Sequence, residues 1–175
     1  MRRVLSGCCA LIAAGASTIG AVAAPISRTA AGEWREYTHP RLGYRITYPA
    51  DTFVPVESKA EEGFVLASRD GKAKLLIASF DNDGLSSLAE YRNLVINQSY
   101  EGAAIDYAPV RRSWFVVSGE RDGQMFYERV AFTCGGRRIT SWAMVYPVAE
   151  RGFYDRLVEA VAPTFRPSDG ARFGC

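Results

Sequence analysis

Three consecutive segments between Trp114 and Tyr146 carry apolar side chains on both faces, and this limits the possible folds more than any other feature of the chain. Trp114 to Glu120, Met125 to Thr133 and Ile139 to Tyr146 are rich in β-branched and aromatic residues, which favour extended backbone. Asp122-Gly123 and Gly135-Gly136 lie between them as hairpin turns. Trp114-Phe115-Val116-Val117 puts apolar groups on both sides of one strand. The last segment does the same, with Trp142, Met144 and Tyr146 on one side and Ile139, Ala143 and Val145 on the other. A sheet of this kind needs cover above and below.

The rest of the chain supplies that cover. Trp34 to Tyr37 predicts a short strand ending at Thr38-His39-Pro40, and Tyr44 to Tyr48 alternates with period two until Pro49 stops it. Phe64 to Ser68 and Lys74 to Phe80 flank Asp70-Gly71, a hairpin signal, and Ile105 to Val110 predicts a further strand. Ser87-Leu88-Ala89-Glu90 fits a capping box. The helix it opens places Leu88, Tyr91, Leu94 and Val95 on one face, and Gly102 is its stop. A closing helix, Gly152 to Val161, offers Phe153, Leu157, Val158 and Val161 to the sheet before Pro163 and Pro167 end it. Strands, helix, strands, helix around a single antiparallel sheet is an α+β fold. Helices on opposite faces make it an α/β/α three-layer sandwich.

The first 23 residues have the layout of a secretory signal peptide. Arg2 and Arg3 are followed by an uncharged stretch from Val4 to Val22, and Ala21-Val22-Ala23 offers cleavage between Ala23 and Ala24. Leu5-Ser6-Gly7-Cys8 matches a lipobox, but too few apolar residues precede it for an export signal. The remainder divides into a small, polar arm over 24–33, one domain over 34–167 and a tail over 168–175 that ends in a cysteine. The chain has 21 Lys and Arg against 19 Asp and Glu, and the two leader arginines account for the excess. A neutral domain has no electrostatic footprint for nucleic acid, and no stable membrane span is expected once the leader is gone. The mature chain keeps Cys134 and Cys175. In an oxidising compartment these predict one disulfide, closing a loop of about 40 residues for on the order of 4 kcal/mol. Their spacing does not suit a redox pair, which uses Cys-x-x-Cys.

Gly43-Tyr44-Arg45-Ile46-Thr47-Tyr48-Pro49 resembles the Gly-aromatic-x-aliphatic-x-Tyr-Pro opening of Mog1/PsbP-like domains. The capped central helix, the paired long strands and a closing helix with Val161-x-x-x-Phe165 are similar too, so the resemblance covers about Leu42 to Arg166. It implies the fold of that group, whose members are largely non-enzymatic binding or assembly factors, some in bacterial envelopes and some in photosynthetic complexes. The chain lacks the long N-terminal region and ion-site histidines of the plant photosystem members, and a photosystem role does not follow. Fold carries over more readily than function.

Motifs for chemistry are sparse. His39, the sole histidine, sits in a turn beside Pro40 and reads as solvated surface. There is no G-x-S-x-G elbow for a serine relay, and Ser118 and Ser141 lie in strands without a nearby base. Neither H-E-x-x-H nor a phosphate loop occurs, so no catalytic residue and no cofactor is assigned. Asp81-Asn82-Asp83-Gly84 with Glu90 reproduces the tail of a calcium loop, making Asp81, Asp83 and Glu90 the only metal candidates. A turn followed by a capping box explains the same residues. Glu128 shares a strand face with Phe126, Val130 and Phe132, which draws it inward, and Arg137 or Arg138 is its expected partner. The doublets Arg111-Arg112 and Arg137-Arg138 read as solvated strand ends, and Trp34 as the tryptophan most exposed. Asn97-Gln98-Ser99 is a glycosylation sequon only on a eukaryotic secretory route. The leading expectation is an exported periplasmic or envelope protein that binds another envelope protein. A small secreted hydrolase is the alternative, and a calcium-stabilised structural domain is the third reading.

Overall fold

A computed structural model describes residues 32–56, 63–84 and 87–168. The expected signal peptide with its Ala23-Ala24 cleavage point, most of the arm, and the tail beyond Ser168 with Cys175 lie outside the described residues.

The described chain runs β1 (Trp34–Thr38), β2 (Arg45–Pro49), β3 (Phe53–Val56), β4 (Gly63–Ser68), β5 (Lys74–Asp81), α1 (Leu88–Ser99), β6 (Ala104–Tyr107), β7 (Trp114–Arg121), β8 (Gln124–Thr133), β9 (Arg138–Pro147) and α2 (Arg151–Val161). Seven strands form an antiparallel sheet in the order β3-β4-β5-β9-β8-β7-β6. The long β8–β9 hairpin lies near its centre, as its two-sided apolar pattern requires. β1 and β2 do not join this sheet but pair with each other as a separate ribbon. Ile46 and Tyr48 of β2, with Tyr44 just before it, are buried, and the ribbon works as a cover.

Alternation sorts the strand side chains into two cores. On one face Leu66, Leu75, Ile77, Trp142 and Met144 pack beneath α2 (Tyr154, Leu157, Val158, Val161) and the β1–β2 ribbon. On the other, Phe115, Val117, Phe126, Val130 and Ile139 pack beneath α1 through Val95 and the residue that caps it, Tyr100. The helices therefore occupy opposite faces, giving three layers. One buried polar pair satisfies itself: the hydroxyls of Ser79 and Thr140, on neighbouring strands, hydrogen-bond at 2.8 Å.

The helix starts as its sequence predicts. Ser87 has extended backbone and its hydroxyl accepts the Glu90 N–H at 3.1 Å, satisfying one free donor of the first turn. Gly102, at φ 76°, takes the left-handed turn that follows. β3 is an element the sequence reading lacks. Pro55 disguises it as a turn, yet at the edge of a sheet a missing N–H leaves no neighbour unsatisfied on the open side.

Gly119 lets β6 lie close against β7. A Cβ at this position would collide with the Ala104 carbonyl of β6. Gly119→Ala is expected to destabilise the domain by about 1–3 kcal/mol in urea unfolding, as overpacking does. It should also remove the hydrogen-exchange protection of β6, and unchanged protection there would mean β6 is held by something other than this close approach.

Candidate functional site

α2 covers only part of its face of the sheet. Between it and β6, β7 and β8 an open groove of about 290 Å³ remains. Its floor is one cross-strand row: Tyr107 of β6 opposes Ser118 of β7, which opposes Tyr127 of β8. A small side chain between two rings makes the row concave. The register slips between Ile105 and Tyr107, a bulge of the kind that re-aims a side chain at a sheet edge, and Tyr107 is 52% exposed.

The opposite wall is the flank of α2, where Arg151, Asp155 and Glu159 follow at intervals of four. Tyr146 of β9 donates its hydroxyl to Asp155 Oδ1 at 2.6 Å, and Arg151 Nε donates to Asp155 Oδ2 at 3.0 Å. Asp106 of β6 adds a second attraction for Arg151. Burial is the chief cause that raises the Tyr146 hydroxyl above the ordinary phenol range, and the bond to Asp155 adds to it. Burial likewise raises Tyr127. Both remain neutral hydroxyls at physiological pH, able to donate. The groove thus offers aromatic faces, phenol donors and the carboxylates of Asp106, Asp155 and Glu159, with one guanidinium at its edge.

Solved structures of low sequence identity share this architecture. Cyanobacterial PsbP (CyanoP) from Synechocystis sp. PCC 6803 superposes with a TM-score of 0.60 at 15% identity, over 87% of this chain and 98% of that one. The Saccharomyces cerevisiae Ran-binding protein Mog1p gives a TM-score of 0.53 at 13% identity, over 82% of this chain and all of the other. The fold is that of the Mog1/PsbP-like domains. No protein-family profile matches the chain, and no curated protein sequence does.

Of the residues singled out from sequence, Ser118 lies on the groove floor, and the metal candidates, Cys134 and Trp34 fall elsewhere in the domain. Asp81 ends β5 and pairs with Arg138 at 3.3 Å, and Asn82 donates to the Gly136 carbonyl at 2.8 Å. Glu90 and Asp83 are exposed, and among the described residues no three His, Cys, Asp or Glu side chains converge as metal ligands. Cys134 opens the turn between β8 and β9 with a left-handed φ of 56°. Trp34 is 37% exposed, on the β1–β2 ribbon.

His39 is not the solvated turn residue its neighbours suggest. It is buried, with its ring 4.9 Å from that of Tyr44, and Nδ1 accepts the N–H groups of Arg41 and Leu42 at 3.2 and 3.0 Å. It caps its own turn, and it is not among the residues lining the groove.

Glu128 is drawn inward as expected, but its partner is not an arginine. Arg138 is taken by Asp81 and Arg137 Nε by the Cys134 carbonyl, both at the far end of the hairpin. The Tyr100 hydroxyl donates to Glu128 Oε2 at 2.9 Å, while the Tyr100 ring stacks on Phe126 at 4.0 Å. Ser141 of β9 adds a hydrogen bond. Burial raises the Glu128 carboxyl from 4.5 to about 7, against the smaller opposing effect of those two hydroxyls.

The folded domain therefore holds a proton that the unfolded chain releases. Stability from this group is complete below about pH 4.5 and is lost as pH rises to about 7. Glu128→Gln keeps an acceptor for Tyr100 and should flatten this slope, stabilising the domain at pH 8 by up to about 3 kcal/mol. Urea titrations of both proteins at pH 5 and pH 8 test it, and equal slopes would mean that Glu128 is ionised in the fold.

Proposed function

We propose that this domain is a protein-binding module exported to the bacterial envelope, and that the groove beside α2 is its contact surface. The groove carries the proposal. It sets three tyrosines, one of them more than half exposed, around a small floor residue, and tyrosine supplies contact area and hydrogen bonding together. The fold it shares with a Ran-binding protein supports binding as the role. The Arg2-Arg3 leader and its Ala23-Ala24 cleavage point support export, and a partner in the same envelope follows from that. Among the described residues, no helix is long and apolar enough to cross a membrane.

A Cys134–Cys175 disulfide belongs to the same proposal. It is supported by the two cysteines left after cleavage. Intact mass before and after alkylation should show no free thiol in the exported protein. Two alkylated cysteines in the native, unreduced sample would remove the bridge.

One observation favours the hydrolase reading: Asp106, Asp155 and Glu159 share the groove with Ser118. Asp155 already accepts a hydrogen bond at each oxygen, which suits a fixed wall better than a group that must exchange protons.

The two readings separate in the native envelope. A photo-crosslinking residue in place of Tyr107 should capture one stoichiometric protein, and the same residue in place of exposed Glu101 should not. Tyr127→Ala should reduce the yield about tenfold or more, as loss of an interface anchor does. Equal labelling from both positions would sink the groove as the contact surface. Hydrolysis of wall or lipid by the purified domain, abolished by Asp155→Asn, would establish the enzyme instead.

A further inference from the structure

Two residues along β8 from Tyr127, on the same face, is Arg129. Its guanidinium lies 4.8 Å from the centre of the Trp114 indole and 5.9 Å from that of the Phe165 ring. Nη1 donates to the Ala162 carbonyl just past α2 at 3.3 Å, which leaves Arg129 half-buried and fixed in orientation. It pairs with no carboxylate among the described residues, and its buried Nε has no hydrogen-bond partner. A half-buried cation without a counter-ion is a standing cost to the fold, and the solvent-facing edge of a fixed guanidinium, rather than its shielded Nε, is what a partner carboxylate can reach.

One other cation faces the Trp114 ring, and a second lies beside the carbonyl that holds Arg129. The Arg111 guanidinium lies 5.9 Å from the Trp114 centre on an exposed loop. Arg166 donates to the Pro163 carbonyl at 2.6 Å, one residue from the carbonyl that holds Arg129. Neither has a carboxylate partner among the described residues. The flank of α2 is therefore polarised, acidic beside Asp106 and Asp155 near its start and basic beside Arg129 at its end, with Glu159 between them.

We propose that Arg129 seats a carboxylate of the partner protein, carried by an extended segment whose following side chains enter the tyrosine-lined groove. The inference rests on the protein-binding reading above and names the chemistry of the partner. Side chains two apart on an extended chain are about 7 Å apart, the same interval that separates Arg129 from Tyr127 on β8. Charge fixes the direction. The acidic residue lies at the Arg129 end, and a lysine or arginine suits the Asp106 and Asp155 end. Two opposite poles select a peptide over a uniformly anionic surface.

The buried Nε–H of Arg129 provides the readout, because shielding from water slows its exchange. A ¹⁵N spectrum of the mature, folded protein is titrated with a short peptide carrying Glu at one end and Lys at the other. The Arg129 Nε and Trp114 indole signals should shift saturably, and a peptide with Gln in place of Glu should leave them unmoved. Arg129→Lys keeps the charge and the apolar stem but not the fork, and should weaken binding about tenfold or more. Arg111→Ala, on the exposed loop, should weaken it less.

No shift, or equal shifts with the Gln peptide, overturns the proposal. So does full displacement of the peptide by inorganic phosphate or by phosphatidylglycerol vesicles, which would make the patch a general anion or lipid surface. An Arg129 signal displaced in Asp169→Asn would make the chain's own tail the occupant and overturn it as well. Crosslinking from Tyr107 separates this failure from that of the broader reading. Capture of the same partner in equal yield by wild type and Arg129→Lys leaves a binding module without the carboxylate seat. No capture by either removes the module itself.

Discussion

Burial of both faces of the β8–β9 hairpin is the constraint on which the rest of this structure depends. Trp142 and Met144 point one way, Val130 and Ile139 the other, and neither set tolerates water. The chain meets that demand with α1 on one face and with α2 plus the β1–β2 ribbon on the other. The second cover is built from two pieces and extends towards β3, which leaves the β6–β8 end of that face open. The groove is thus a by-product of how the core is closed. Its floor is laid on β6, β7 and β8, and the last two also build the core, so it needs no separate scaffold.

Glu128 is the exception inside that core. The row of cross-strand neighbours that holds it runs Val117, Glu128, Ala143, with no charge opposite. Solvation is replaced by two hydroxyls, and Tyr100 brings one of them from the end of α1. That hydrogen bond also pins the helix end to the sheet, so the polar group helps set where α1 stops. Neutralisation by a proton is the cheaper solution for a single buried carboxylate, because no cation then has to be desolvated beside it.

Much of the architecture was legible because it rests on local rules. Period-two alternation marked β2, Asp70-Gly71 and Asp122-Gly123 marked hairpins, and Ser87 with Glu90 marked the start of α1. Non-local choices were harder to read. Pro55 hid β3, whose edge position is known only once the strand order is known. His39 looked exposed because nothing in Thr38-His39-Pro40 announces that Tyr44 will fold over it. Of the groove, only Ser118 drew notice for its chemistry, as a strand serine without a base, because the row Tyr107–Ser118–Tyr127 depends on register across three strands and a bulge. The one available signal was the phase of β8. Once Phe126 and Glu128 are assigned to one core, Tyr127 and Arg129 must face the other way, towards whatever α2 leaves uncovered.

The order of strands gives the two sides of the groove unequal stiffness. α2 is anchored by Tyr154, Leu157, Val158 and Val161, all in the core, and it yields only if the domain unfolds. β6 is a four-residue edge strand, mostly exposed, bulged and hydrogen-bonded along one side alone. Local opening costs least at such a margin. One jaw is therefore a fixed reference and the other a compliant one, so a ligand is positioned by the helix and accommodated by the strand. Partners that differ in bulk but share the same charged ends can be held by the same site without disturbing the core beneath it.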